Sequence, residues 1–422
     1  MRLSLFLSFA TLLLAPPLHG RQPNQPHWIP TWTTAQPLIR MPPRTPPPLP
    51  NQGVSPARPG VAAMQALAQN GFHDQTVRMI VHTSIGGAKA RIRLANPFGG
   101  ATVTVGAAHI ALRTKEAEIL PDTDRALTFN GKPACTFGPG VVTVSDPVDF
   151  PVPAGGDIAV SLYFPGDTGP AVSNNQTHTA WISKSGDQAA QATLAEPFTT
   201  GAYYWLAGVE VLAPPEAALI VALGDSITES FRSTPDTNRG WPSVLSARLL
   251  ADKATAHFAV ANMGIGGNRL LHDGTGASAL ARLDRDVLSQ PGAKWLIVLE
   301  GINDVGRTGP EAVTAEDLIG ADKQIIERAH SMGIRVIGCT LPPFGGASSY
   351  RENSEEARAG LNAWIRTGGA FDAVADFEKA TQDPADPKKL KAEFDPGDHL
   401  HLTDAGYKAM ADSIDLAIFK RK

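Results

Sequence analysis

Residues 218–223 read ALIVAL, six apolar residues in succession. A strand with one wet face alternates polar and apolar residues, because successive side chains point to opposite sides. An unbroken run therefore describes a strand covered on both faces, as in parallel sheets packed between helices. The texture recurs at FAVAN (258–262), KWLIVL (294–299) and IRVIGC (334–339), with a shorter AVADF at 373–377. Stretches with helical spacing separate these runs: WPSVLSARLLA (241–251), ALARLDRDVL (279–288), AEDLIGADKQIIERAHS (315–331) and a segment across 353–366. A last one, TDAGYKAMADSIDLAI (403–418), follows the fifth run. Strands joined by helix-bearing connections predict a doubly wound parallel five-stranded sheet over 216–422. Ligands of such sheets bind beyond the carboxyl ends of the strands.

The segment APPEAA (213–218) marks a boundary. Before it, from 71 to 212, short runs recur between Gly, Pro, Asn and Asp: VRMIV (77–81), RIRL (91–94), TVTV (102–105), HIAL (109–112), VVTV (141–144), IAVSLYF (158–164) and YYWLAGVEVL (203–212). Alternation in several of them, with no helix between, predicts an all-β accessory domain, a sandwich or jelly roll. Tyr203, Tyr204 and Trp205 are either core or a platform on which a sugar could stack. Further upstream lies a Pro-rich segment, 21–70. Fourteen of the 35 prolines fall between Pro16 and Pro59. Their fixed φ angles and missing N–H groups predict an extended, polyproline-like connector over 37–60. Trp28 and Trp32, just before it, are read as packing HWIPTWTTAQ (27–36) onto a domain.

The first residues, MRLSLFLSFATLLLAPPLHG, carry one Arg and then an apolar run to Ala15. A bilayer span takes roughly 20 residues, so this run reads as a signal peptide over 1–20 and not as a permanent membrane anchor. A secreted or periplasmic protein is expected. The formal net charge of -4 argues against a nucleic-acid partner. The two cysteines, Cys135 and Cys339, lie in different predicted domains and are read as separate small buried residues rather than a disulfide.

The polar clusters gather at the strand ends. The first strand runs into GDS (224–226), the second into NMGIGGN (262–268) and the third into EGIND (300–304), and GDHLHLTDAGY (397–407) precedes the last helix. Ser226 opens Ser-Ile-Thr-Glu, which fits a capping box, so it reads either as a helix cap or as a nucleophile. A serine hydroxyl needs a base to become nucleophilic. His401 can act as one near neutral pH, and Asp398, three residues earlier, can fix its tautomer. A tetrahedral oxyanion then needs donors. The Ser226 N–H, a backbone N–H of the 264–267 loop and the Asn303 amide are candidates.

These blocks resemble those of the GDSL, or SGNH, hydrolases. Gly224-Asp225-Ser226-Ile227 is similar to the GDSL block, with Ile for Leu. Gly301-Ile302-Asn303-Asp304 is similar to G-x-N-D, and Asp398-His399-Leu400-His401 to D-x-x-H. Gly267, with Gly266 as its rival by register, stands at the oxyanion glycine. The resemblance covers about 216–422. It implies a flavodoxin-like α/β/α fold and ester hydrolysis through an acyl-enzyme, with Ser226, Asp398 and His401 catalytic, Ser226, Gly267 and Asn303 forming the oxyanion hole, and no metal or cofactor. It implies nothing about the β region.

Competing motifs are incomplete. A G-x-S-x-G elbow would need Gly where Thr228 stands. Gly264-Ile265-Gly266-Gly267 has Arg269 where a dinucleotide fingerprint needs Gly. His399 and His401 form H-x-H without the further ligands of a metal site. Asp225 reads as the cap, Asp304 as structural, and Glu300, Arg269 and Asp395 as pocket-lining or exposed loop charges. Three functions stay open: an esterase of short O-acyl groups on small molecules or polysaccharide, acetyl among them; a lipolytic enzyme or thioesterase on the same machinery; and a non-catalytic binding protein. Oligomeric state is not legible.

Overall fold

The computed structural model describes residues 25–38, 61–171 and 173–420. The expected signal peptide, and all but the first two residues of the 37–60 connector, lie outside them.

Five parallel strands form the sheet of the C-terminal half: Ala218–Gly224, Phe258–Gly264, Ala293–Leu299, Arg335–Cys339 and Ala373–Ala375. In space the second lies outside the first, and the third, fourth and fifth follow on the other side. This is the flavodoxin-like order, and its reversal falls between the first and third strands. Leu219, Ile220, Val221 and Leu223 are fully buried, as their unbroken apolar run requires. Each such side chain contributes about 1.5–3 kcal/mol when removed from water. Helix Trp241–Ala251 packs against Asp404–Ser413, and Ala315–Ser331 against Glu352–Thr367.

Three elements of this half depart from the sequence reading. The 279–288 stretch is α-helical over Ala279–Leu283 and then widens to a π-turn over Asp284–Leu288. The terminal helix is interrupted after Ser413, where Arg248 Nη1 donates to the carbonyls of Ala411 and Ile414. The fifth strand stops at Ala375, because Asp376 caps a new helix, accepting from the Lys379 N–H at 3.1 Å.

The N-terminal half holds two larger antiparallel sheets. One contains His27–Thr33, Leu206–Ala213, Gly87–Ala95 and the short strands Val142–Val144 and Val148–Val152. The other runs Phe198–Tyr204, Ser173–Ile182, Gln75–His82, Asp157–Phe164, Ala107–Leu112, Arg125–Leu127. The run YYWLAGVEVL, read as one strand, is two. Trp205 has a left-handed φ of 54°, and the chain leaves one sheet and enters the other there. Tyr203, Tyr204 and Trp205 are buried, Tyr204 edge-on against Phe72 and Trp205 tilted against Phe72 and Phe164, so they are core and not a sugar platform.

The 21–70 segment contributes more structure than its prolines suggest. His27–Thr33 pairs with Leu206–Ala213, with Arg91 over the Trp28 ring and Trp32 beside Tyr203. The same strand packs on Phe258–Gly264, joining the halves. Past the last proline of the cluster, Val61–Asn70 is helical and ends at Gly71, whose φ is +77°. Its Ala, Met, Leu and Gln residues are good helix formers.

Candidate active site

Strand Ala218–Gly224 delivers the chain to the edge where the strand order reverses. Gly224 approaches Thr228 and the Leu299 carbonyl so closely that a Cβ would collide with both. Asp225 then caps helix Ser226–Glu229, its carboxylate accepting the Ile227 N–H at 2.8 Å. The Ser226 side chain has another partner: its Oγ lies 2.9 Å from His401 Nε2.

His401 is held from behind. Asp398 Oδ2 lies 3.0 Å from Nδ1, and Asp398 Oδ1 accepts the backbone N–H of His401 and of Leu400. Burial works to raise the Asp398 carboxyl. The ring hydrogen bond and charge of His401, with those two N–H groups, outweigh it and hold the carboxyl well below the usual range. The Phe231 ring packs edge-on against the imidazole at 4.7 Å, and Tyr407 pins Phe231 through its carbonyl. His399 faces the other way. Its φ of 60° turns it out, and Nδ1 lies 2.5 Å from Asp395 Oδ2. The two histidines of H-x-H therefore diverge. Among the described residues, no group of three or more His, Cys, Asp or Glu side chains is placed to hold a metal ion.

The second strand ends at Gly264, where a Cβ would strike the backbone of Thr228 and Glu229. A turn follows, closed by the Asn268 N–H on the Ile265 carbonyl at 3.0 Å. Gly267 takes its third position with φ +74°, where glycine is favoured. Gly266 is buried and Gly267 is half-buried. Asn303, in helix Ile302–Val305, donates Nδ2–H to the Asn268 carbonyl at 2.9 Å. Asn303 is thereby tied to the loop that carries Gly267. Asp304 accepts the Leu270 and Leu271 N–H groups and holds the far end of that loop.

Charges sit differently from the sequence reading. Glu300 and Arg269 are buried, not exposed loop charges. Arg269 pairs with Glu311 at 3.0 Å. Glu300 meets Arg282, a residue of the 279–288 stretch that the sequence reading did not single out. Arg282 is fully buried and donates to Asn268 Oδ1, the Met263 and Gly224 carbonyls, Asp286 and Glu300, so it binds the ends of the strands to the loop. Its only sequence signal is Asp286 four residues on, which normally marks an exposed pair. Burial, with the nearby Asp304 and Glu229 charges, pushes Asp225 up to about 7 against the Ile227 N–H and Arg282. Burial likewise raises Glu300 well above its ordinary value. Arg232 also escaped the sequence reading. Its side chain is largely buried and its Nε donates to Asp398 Oδ2 at 3.1 Å.

Residues 222–409 match the GDSL-like lipase/acylhydrolase family. That part of the chain is a GDSL-like lipase/acylhydrolase domain, and the protein is a hydrolase of the GDSL type. No curated protein matches the sequence. Among solved structures it is similar to a GDSL-like lipase from Bacteroides thetaiotaomicron, at 22% identity over 48% of this chain and 88% of that one, with a TM-score of 0.36. It is also similar to an acetyl xylan esterase, at 20% identity over 46% of this chain and 96% of that one, with a TM-score of 0.37. A third is an M. smegmatis aryl esterase, at 15% identity over 47% of this chain and 96% of that one, with a TM-score of 0.38. Among the described residues, no helix is long and apolar enough to cross a membrane.

Proposed function

We propose that the protein is a serine esterase that hydrolyses short O-acyl esters, acetyl groups on carbohydrate among them, by way of an acyl-enzyme. The observation that carries this reading is the continuous relay from Ser226 Oγ to His401 Nε2 at 2.9 Å and from His401 Nδ1 to Asp398 at 3.0 Å. Ser226 Oγ attacks the acyl carbonyl as His401 Nε2 takes its proton. Asp398 keeps the other ring nitrogen protonated and stabilises the imidazolium. The carbonyl oxygen becomes an oxyanion that accepts from the Ser226 N–H, the Gly267 N–H and Asn303. One Asn303 amide hydrogen is spent on Asn268, which fixes the plane of the group and leaves the other for the oxyanion. His401 returns the proton to the departing alcohol oxygen, leaving acyl-Ser226. Water then repeats the sequence with His401 as base and releases the acid.

Ser226→Ala and His401→Ala are each expected to lower p-nitrophenyl acetate turnover by at least about 10⁴-fold, as for residues of one catalytic unit. His399→Ala is expected to keep most of the activity. A dispensable His401 beside an essential His399 would overturn the assignment. A chain-length series from acetyl to palmitoyl esters tests the substrate: a steep preference for acetyl supports the reading, and rates rising toward long chains establish a lipolytic enzyme instead. Activity is expected to survive a chelator. Loss on chelation, restored by a divalent cation, would refute the metal-free route. An exported location completes the proposal, and N-terminal sequencing of the mature protein tests it.

A further inference from the structure

The loop 230–240, between the nucleophile helix and helix Trp241–Ala251, is wound tightly without glycine at the positions that would favour it. Ser230, Arg232, Asp236 and Asn238 all have left-handed φ, between 56° and 76°. Non-glycine residues adopt this region at a cost, and persist there when their surroundings hold them. Here the N-terminal half does the holding. Asp236 accepts the Thr179 N–H and hydroxyl, both at 2.7 Å, and its own N–H donates to the Thr177 carbonyl at 2.9 Å. His178 Nε2 lies 2.6 Å from Asn238 Oδ1 and its Nδ1 lies 3.4 Å from Asp236. Although burial opposes it, these contacts from His178 and Thr179 keep the Asp236 carboxyl down at about 2. The loop is also tied to the C-terminal helix, where Thr234 donates twice to Asp404. Two residues before Thr234 sits Arg232, its guanidinium on the Asp398 oxygen that also faces His401.

We propose that Arg232 is a positioning residue that fixes the plane of the Asp398 carboxylate, and that strand Ser173–Ile182 of the β half keeps it there by clamping Asp236 and Asn238. The proposal rests on the triad reading of Ser226, His401 and Asp398. It assigns the β half a part in catalysis: the hydrolase fold supplies the triad, and the β half supplies the tension that holds its third member. Arg232 touches no reacting atom, so its effect falls on turnover rather than on substrate binding.

The test is a double-mutant cycle in the full chain, read as kcat and KM for p-nitrophenyl acetate, with melting temperature as the control for folding. Arg232→Met is expected to lower kcat by about ten- to hundredfold, the range of one charge-assisted hydrogen bond, with KM and melting temperature little changed. Arg232→Lys is expected to restore most of that loss. Asp236→Ala is expected to lower kcat several-fold, and the double variant to be no worse than Arg232→Met alone, because both act through one contact. Asn238→Ala repeats the cycle if Asp236→Ala fails to fold, and Arg232→Gln serves if the methionine variant does. Wild-type kcat in Arg232→Met would overturn the positioning role. Losses that multiply in the double variant would overturn the clamp. Either result, with Ser226→Ala inactive, leaves the triad reading standing, whereas an active Ser226→Ala defeats that reading itself.

Discussion

Asp225 and Ser226 are chain neighbours with separate tasks. The carboxylate caps the helix, and the hydroxyl is left to meet His401. The cap is unusual because Asp225 is wholly buried and its Oδ2 has no hydrogen-bond partner among the described residues. Burial moves its carboxyl from an ordinary 3.8 up to about 7. The folded state therefore binds a proton that the unfolded chain has released. This contribution is fully present below about pH 4 and is lost as pH rises through about 7. Asp225→Asn keeps the acceptor and removes the titration. Its melting temperature is expected to fall less between pH 5 and pH 8 than that of the parent. Parallel curves would contradict the assignment. The pairing of Ser226 with His401 was legible from distant blocks, whereas the place of Arg232 was not. Its meaning depends on a contact with a residue 166 positions away, and nothing local distinguishes it from a solvent-facing arginine.

Among the elements, Ala315–Ser331 follows its sequence pattern to the residue, started by a capping box between Thr314 and Asp317. It also carries Asp322 on its buried face, where desolvation pushes the carboxyl up to about 8. By the same sign, Asp322 costs stability progressively as pH rises from about 4 toward 8. Asp322→Asn should raise the melting temperature more at pH 9 than at pH 5, and an equal effect at both would refute this. Gly264→Ala is expected to reduce both soluble yield and activity, since the added methyl strikes the backbone of helix Ser226–Glu229. A fully active variant would show that the strand end can yield. Helices and strands with strong periodicity were legible because 3.6 and 2 are local properties. Breaks were not. Trp205 turns between sheets, and the terminal helix stops where Arg248, on another helix, takes its carbonyls.

At the scale of the whole molecule, strand His27–Thr33 belongs to the β half by pairing and packs on the second strand of the parallel sheet. Cutting the chain at 216 exposes that contact and frees loop 230–240 from Thr179 and His178. A 216–422 fragment is expected to melt lower and turn over more slowly than the full chain. Equal stability and rate would refute the dependence. By itself, the sequence determined the doubly wound sheet and the edge on which its polar blocks gather, and it singled out Ser226, Asn303, Asp398 and His401 as the residues of the proposed mechanism. Apolar periodicity and residue type are carried by the chain whatever its neighbours. Only the tertiary structure decided which charges are buried, with Arg282 and Glu300 beneath the site and Arg232 against Asp398, and how the β half bears on the site. Burial and ion pairing are made between segments far apart in sequence, and they come into being only when those segments meet.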